Sequence, residues 1–354
     1  MRKINVNQVL LGMRLSRPVF TNEGRTLLTS GMELNNIYME RLIENGIEEL
    51  YIEDEISKGI IVVDVVHEHT RQEAKSIIKT MMTDYNFSSL INVDQVGEIV
   101  IKMIEELLEN DDILVNLADI RSVDDYTFEH SVNVCIFSLI SGIGLGYNVP
   151  RLKDLGMGAL LHDIGKLRIP EQILKKPSRL SVDEFDEIKR HTIYGYEILK
   201  NCPSVSMVSA FIAIGHHERY DGSGYPLQLK GESIHQCARI VAVADVYDAL
   251  TSNRVYRKKL KSHEVVEYMI LTGSQHFDKE ILDTFLKYVA LYPIGSGVVL
   301  NTNERAIVVK TNAESPTKPV VRIVFDKFDR KLKEPTELDL EQFIGVFIVD
   351  SCDI

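Results

Sequence analysis

The feature that most constrains the fold is a set of histidine and aspartate residues placed inside apolar helical segments or at their ends. His162 and Asp163 follow Leu160, at the end of a run whose apolar residues recur at helical spacing. Asp245 lies within another apolar helical segment, where an unpaired carboxylate is costly and a metal partner is a natural resolution. These placements predict a helical bundle that encloses a metal site.

Several more histidines are predicted within helices or at helix ends, and together with the aspartates they form one candidate ligand set. Its members are His130, His162, Asp163, His191, His216, His217 and Asp245. Adjacent residues on a helix diverge by about 100°, so His162 and Asp163 do not readily chelate one ion. The carboxylate of Asp163 is therefore predicted to bridge two ions. A helix that ends just after His216 and His217 favours one ion for each ring.

This pattern resembles the HD-GYP branch of the HD phosphohydrolase superfamily over about residues 118–290, roughly half of the chain. The resemblance rests on Leu-His-Asp-Ile-Gly-Lys (161–166), His-His-Glu (216–218), Gly-Tyr-Pro (224–226), Asp-Val-Tyr-Asp-Ala-Leu-Thr (245–251) and Arg-Val-Tyr-Arg (254–257). It implies two divalent ions, iron or manganese, although carboxylate and imidazole ligands alone also admit zinc. It further implies that a metal-bridged hydroxide opens a cyclic dinucleotide, cyclic di-GMP above all, to linear pGpG, and it leaves open whether a second step yields GMP.

The resemblance also implies residues that contact the substrate. Lys166, three residues after Asp163, is predicted to neutralise a phosphoryl oxygen or protonate the leaving oxygen; the alternative is a lysine that complements a helix dipole. Gly224 and Tyr225 lie in a predicted loop, where Tyr225 is expected to stack on a guanine or bind a phosphate.

A basic cluster follows the helix of Asp245. Arg254 and Arg257 are predicted to contact phosphate, and most of the lysines from 258 to 261 are predicted to face solvent. Asp248 is predicted either to orient a ligand histidine without touching the metal or to hold Arg254.

The number of metal ions depends on position 126. Tyr126 stands four residues before His130, where the resembling proteins with three metals have a glutamate ligand. A phenol is protonated near pH 7 and substitutes poorly for a carboxylate. Two metal ions are therefore expected, and a third is doubtful.

The predicted fold class is multi-domain and mainly α, with an all-α HD-type bundle at the centre. A small α+β module at 1–66 has strand-like alternation at Arg14–Phe20, Ile47–Ile52 and Ile60–Val66. A helical linker follows at 67–117, interrupted from Asp84 to Asn92, and is also a candidate homodimer interface. Residues 118–290 form the catalytic helical domain.

Two local patterns complete these predictions. A Ser181–Glu184 capping box opens a helix predicted to reach Asn201 with His191 inside it. Residues 291–354 form a small β-rich appendage, with strands predicted at Gly297–Leu300, Ala306–Lys310, Val320–Phe325 and Gly345–Val349.

Composition limits the remaining classes of function. A net charge of −12 argues against binding of a DNA or RNA polymer. Four widely spaced cysteines without a C-x-x-C motif fit the reducing cytoplasm, and the apolar runs are too short to span a bilayer. Two alternatives stay open: a cyclic di-GMP receptor without turnover, and an HD phosphohydrolase that acts on cyclic GMP-AMP.

Overall fold

The computed structural model describes residues 1–21, 25–88, 93–110, 126–176, 178–252, 259–312 and 315–354, with only the backbone described at 84–88, 126, 127 and 274. The chain is mainly helical, with small sheets at its start and a five-stranded sheet at its end. The predicted fold class is confirmed. Within these ranges no helix is both long enough and apolar enough to cross a membrane.

The first region combines short strands with one helix. Its elements are β1 (Arg2–Asn5), β2 (Arg14–Leu15), β3 (Val19–Phe20), β4 (Thr26–Leu28), α1 (Asn36–Glu44) and β5 (Glu49–Glu53). The strands form a β1–β5–β2 sheet and a β3–β4 hairpin around a buried apolar core. The strand predicted at Ile60–Val66 is wrong. Ile60 is buried because it packs against Ile307 and Val324. The apolar alternation therefore comes from a connecting segment that packs against the C-terminal sheet and pairs with none of the strands that the structure describes.

Two long helices, α2 (Glu68–Ser88) and α3 (Asp94–Leu108), lead into the centre of the molecule. The interruption predicted from Asp84 begins later, because α2 continues to Ser88. Val96, Val100 and Met103 of α3 are fully buried in the same core as the central helices. These two helices therefore share the apolar core of the bundle that follows.

The central bundle places its helices around a common apolar core. They are α4 (Tyr126–Gly144), α5 (Val149–Leu160), α6 (Glu171–Leu174), α7 (Val182–Lys189), α8 (His191–Leu199), α9 (Met207–Gly215), α10 (Gln236–Thr251), α11 (Ser262–His276) and α12 (Lys279–Tyr288), with a 3₁₀ turn at Ile164–Arg168. Helix α4 packs against α5, α10 and α12. Where α4, α10 and α12 meet, the rings of Phe137, Tyr247 and Phe285 have centroids 5.2–5.6 Å apart.

The final region is an antiparallel sheet with the order β10–β6–β7–β8–β9. Its strands are β6 (Gly297–Leu300), β7 (Arg305–Lys310), β8 (Val320–Phe325), β9 (Lys331–Asp339) and β10 (Ile348–Cys352). The last predicted strand is displaced toward the C-terminus, and β9 was not predicted. Strand β9 is mostly exposed and polar, so it lacks the apolar alternation by which strands are recognised.

Ion pairs connect the end regions to the central bundle just before α11. Lys259 contacts Glu49 of β5, and Lys261 Nζ lies 2.6 Å from Asp350 of β10. Lys261 faces solvent as predicted, although it pairs with Asp350, whereas Lys259 is only partly exposed because it contacts Glu49. Lys3 Nζ also approaches Glu49, at 2.6 Å.

Replacing Glu49 with glutamine should destabilise the protein in a pH-dependent way. Burial opposes ionisation of Glu49, but Lys3 and Lys259 outweigh it and lower the pKa from 4.5 to about 2. The stability from this carboxylate is present above pH 4.5 and is lost as the pH falls toward 2. We expect the variant to lose about 2 kcal/mol of unfolding free energy at pH 7, measured by urea unfolding. This loss should become smaller as the pH is lowered. Glu40→Gln, on the exposed face of α1, serves as the control; an equal loss at pH 7 and pH 3 would contradict the assignment.

Candidate metal centre

The predicted ligand residues converge at the centre of the bundle from five separate segments. His130 lies on α4, His162 and Asp163 follow α5, His191 begins α8, His216 and His217 follow α9, and Asp245 lies on α10. They form two adjoining groups within which the nearest ligand atoms are all within 4.8 Å: Asp163 with His191, His216 and His217, and His130 with His162 and Asp245. All but His217 are buried.

The carboxylate of Asp163 contacts both groups. Its Oδ1 atom is 3.3 Å from His191 Nε2 and 3.9 Å from His216 Nε2, whereas its Oδ2 atom is 3.4 Å from His162 Nε2. Each oxygen thus faces a different set of imidazoles. This is the arrangement that a bridging carboxylate requires, and the bridge itself stays a prediction.

Asp245 has a similar position on the other side of the site. Its Oδ1 atom is 3.1 Å from His130 Nε2 and its Oδ2 atom is 3.6 Å from His217 Nδ1. The structure places the rings of His216 and His217 in the same group, with centroids 4.1 Å apart, although His217 also approaches the second group. One ion for each ring therefore stays a prediction.

Hydrogen bonds fix the tautomers of three imidazoles. The Nδ1 atoms of His162, His191 and His216 lie 2.7, 2.6 and 3.0 Å from the backbone carbonyl oxygens of Ala159, Ile188 and Ala213. Because a carbonyl oxygen only accepts, each Nδ1 carries the proton and each Nε2 keeps its lone pair. These lone pairs point into the site.

The converging lone pairs fit a cation. The Nε2 atoms of His191 and His216 are 3.3 Å apart, and with both protons on Nδ1 neither can donate to the other. Within the described residues, His162 Nε2 and Asp163 Oδ1 are buried without a hydrogen-bond partner. Unpaired buried polar atoms are costly, and a divalent ion bound by imidazole and carboxylate would satisfy them.

The protonation states of the group formed by Asp163, His191, His216 and His217 suit metal binding. Burial lowers the pKa of His216 well below its ordinary value, lowers that of His191, and lowers that of His217 to about 3. Burial opposes ionisation of Asp163, but the positive charge of Lys166 outweighs it and holds the pKa of Asp163 well below its ordinary value. At neutral pH these groups are neutral imidazoles and a carboxylate, the forms that bind metal.

His191 reaches the site because the predicted helix from 181 to 201 is divided. The Ser181–Glu184 capping box is confirmed at the start of α7, but α7 ends at Lys189 and α8 starts at His191 rather than enclosing it. The N–H of Arg190 donates to the Glu187 carbonyl, three residues back, which tightens the last turn of α7. The division places His191 in the first turn of α8.

Gly165 allows α8 to approach the loop that carries His162 and Asp163. A Cβ atom at this position would lie 1.8 Å from the carbonyl oxygen of His191 and 2.4 Å from the N atom of Gly195. Both contacts are with backbone, which cannot rotate away. The glycine is therefore required for the two segments to meet at the site.

Glu218 anchors the loop beyond the histidine pair, a role that its place in the His-His-Glu motif does not reveal. Its buried carboxylate accepts hydrogen bonds from the N–H groups of Leu227 (2.7 Å) and Leu229 (3.0 Å). Gly224 lies so close that a Cβ there would be 2.3 Å from the N atom of Arg219. This close packing leaves room for glycine alone and fixes the course of the loop.

The anchored loop places Tyr225 beside the metal centre. Its ring centroid lies 4.8 Å from that of His217, and its N–H donates to the His217 carbonyl at 3.2 Å. Burial and the nearby carboxylates of Asp245 and Asp163 raise the pKa of Tyr225. The phenol therefore stays protonated at neutral pH and can donate a hydrogen bond.

The remaining predicted residues have different outcomes. Lys166 lies beside Asp163 (Nζ to Oδ2, 2.5 Å), although the helix has ended and Lys166 is on the 3₁₀ turn. Asp248 accepts a hydrogen bond from His130 Nδ1 at 2.7 Å, the first of its two predicted contacts. Arg254, Arg257 and the side chain of Tyr126 lie outside the described residues.

Comparison with known proteins gives matches along most of the chain. Residues 136–281 match the HD domain family, and residues 297–354 match a KOW domain associated with the HD domain. A cyclic di-GMP phosphodiesterase of Pseudomonas aeruginosa is 30% identical over 92% of this chain and 85% of that protein. A 3'3'-cGAMP-specific phosphodiesterase of Vibrio cholerae is 40% identical over 52% of this chain and 42% of that protein.

One solved structure is similar across most of the chain. An HDG"Y"P protein from Bdellovibrio bacteriovorus has a TM-score of 0.52 and 17% identity, over 80% of this chain and 97% of that chain. At this level of identity, the likeness supports the fold alone.

Proposed function

The chain belongs to the HD-GYP family of cyclic di-GMP phosphodiesterases, and on this premise we propose that it hydrolyses cyclic di-GMP to linear pGpG. The observation that carries the proposal is the convergence of imidazole Nε2 lone pairs and two carboxylates in two adjoining buried groups. Such a donor set suits divalent metal ions, and these are the cofactors of phosphodiester hydrolysis in two-metal sites.

We assign the ligand roles to the residues of the two groups, with Asp163 shared between them. When bound, the ions supply an activated water nucleophile and neutralise charge on the phosphoryl group. The carboxylates of Asp163 and Asp245, together with the imidazoles, would hold the ions where the phosphoryl group binds. We propose two ions, iron or manganese, which metal analysis of protein purified without oxygen will count and identify.

The substrate contacts are also proposals. Lys166 lies beside Asp163 and carries a positive charge toward the phosphoryl oxygens or a proton toward the leaving ribose oxygen. Tyr225 is placed beside His217 to stack on a base or donate to a phosphate. On the basis of their motif, we assign phosphate contacts to Arg254 and Arg257. We propose that Gly224 lets the backbone of its loop approach the ligand closely.

Lys166→Met should lower kcat by about 100-fold while metal content stays unchanged, because the lysine acts on the substrate and holds no metal. Steady-state kinetics and metal analysis of the same preparation measure both quantities. Lys175→Met, which removes an exposed lysine paired with Glu171, is the matched control. Loss of metal from the Lys166 variant would instead make this residue part of the support for the ligands.

A second candidate substrate is cyclic GMP-AMP, since the chain is also 40% identical to a 3'3'-cGAMP-specific phosphodiesterase over about half its length. Product analysis over time with both cyclic dinucleotides, on iron-loaded and manganese-loaded protein, tests the proposed function. We expect pGpG from cyclic di-GMP, abolished by chelator; GMP would reveal a second step. Binding of the ligand without product under either metal would favour the receptor alternative.

The domain boundaries after residues 66, 117 and 290 and the homodimer through 67–117 stay predictions. Limited proteolysis tests the boundaries, and the mass of the purified protein in solution tests the homodimer. We propose further that the metal site lies wholly within 118–290, because every ligand that we assign falls in this range.

A further inference from the structure

We propose that Arg71, on α2 and outside the segment that carries the ligands, is a positioning residue that orients His130 through Asn133 and Asp248. The proposal rests on the proposed function, because it concerns a ligand of that metal centre. Arg71 has a side chain only 12% exposed, although arginine is usually a surface residue. Its Nη2 atom donates to Asn133 Oδ1 at 2.7 Å.

The remaining hydrogen bonds between Arg71 and His130, a series that we call the relay, join α4 and α10. Asn133 Nδ2 donates to Asp248 Oδ1 at 2.9 Å, and Asp248 Oδ2 accepts from His130 Nδ1 at 2.7 Å. Asn133 and Asp248 are 1% and 0% exposed, so water does not compete for these bonds. Asn133 follows His130 by three residues and Asp248 follows Asp245 by three, so each pair shares one face of its helix.

The chemistry of the three groups gives the relay one direction. A guanidinium only donates and an ionised carboxylate only accepts, so the amide between them must present its oxygen to Arg71 and its nitrogen to Asp248. Asp248 then accepts a hydrogen bond from the N–H at His130 Nδ1, which leaves the Nε2 lone pair for the metal site. Outer partners of this kind fix the tautomer and the ring orientation of a ligand histidine.

The competing explanation is that Arg71 only attaches α2 to α4. Asn133→Asp separates the two roles, because aspartate still accepts from Arg71 but has no N–H to donate to Asp248. The carboxylate of this variant would also repel that of Asp248 in a buried site, so we expect the melting temperature to fall and the dissociation constant for Mn²⁺ to rise about 10-fold. Unchanged Mn²⁺ affinity would overturn the relay.

A double-mutant cycle then tests whether Arg71 acts through Asn133. Arg71→Gln and Asn133→Ala should each weaken Mn²⁺ binding about 10-fold, and the double variant should also be about 10-fold weaker rather than about 100-fold. In turnover, Arg71→Gln should lower kcat and leave KM unchanged, since it touches no substrate. Independent losses that multiply would overturn the proposal.

Lys102→Gln is the matched control, since Lys102 of α3 pairs with Glu73 of α2 at 2.7 Å on the surface. It loosens α2 without touching the relay, and we expect wild-type Mn²⁺ affinity. Mn²⁺ binding is measured first on the wild-type protein by calorimetry. If the wild-type protein binds no divalent ion, the proposed function fails; if it binds Mn²⁺ and Arg71→Gln binds it equally well, only the positioning role fails.

Discussion

Asp163→Asn is expected to remove bound metal and phosphodiesterase activity together, with turnover lowered about 1,000-fold. The two oxygens of Asp163 face imidazoles of both groups, and an asparagine offers one neutral oxygen and an NH₂ in their place. The amide cannot bridge two ions, and its hydrogens would point at lone pairs or ions. Metal analysis and product formation from one preparation measure the effect.

The control for this variant is Asp283→Asn, an exposed carboxylate of α12 in the same bundle. It should keep full metal content and activity. The variant of Asp163 should remain folded by circular dichroism, because the substitution preserves volume. Wild-type turnover by a metal-free Asp163→Asn protein would refute the two-metal centre.

Gly165→Ala is expected to cost about 3 kcal/mol of unfolding free energy and to empty the metal site. The added Cβ would lie 1.8 Å from the His191 carbonyl oxygen, so α8 must move away and take His191 with it. This movement of α8 would carry His191 Nε2 away from the other Nε2 atoms of the site. Denaturant unfolding and metal content measure the two effects.

Gly97→Ala on α3 is the opposite case and the control. Its Cβ would meet the Lys153 side chain at 3.5 Å, an ordinary contact, and alanine favours a helix over glycine by about 1 kcal/mol. We expect a slightly more stable protein with full metal content. Equal stability losses for the two variants would mean that the close approach at Gly165 does not matter.

The sequence was sufficient to predict the cluster of histidines and aspartates at the centre of the bundle, because each proposed ligand is a residue whose chemistry is unusual in its setting. Asp245 in an apolar helix and His162 at the end of another are recognisable without a structure. The predicted contact of Asp248 with one of the proposed ligand histidines was also found, with His130. The helical pattern indicated which residues point inward.

Contacts between distant segments could not be predicted. Lys259 lies 210 residues from its partner Glu49, and nothing local to a lysine indicates such a partner. Strand β9 is polar and exposed on both faces, so it carries no periodic apolar signal. The division between α7 and α8 falls at Arg190, whose N–H donates to the Glu187 carbonyl three residues back, and no residue type marks this position in the sequence.

The loop anchor at Glu218 has a consequence for sequence variation. Because the carboxylate holds the N–H groups of residues 227 and 229, the side chains at these positions do not contribute to the anchor. Proline alone is excluded by this bond, since it has no N–H. Leu227 is 55% exposed, so a new side chain there has room. The side chain at position 227 can therefore vary while the loop keeps its course.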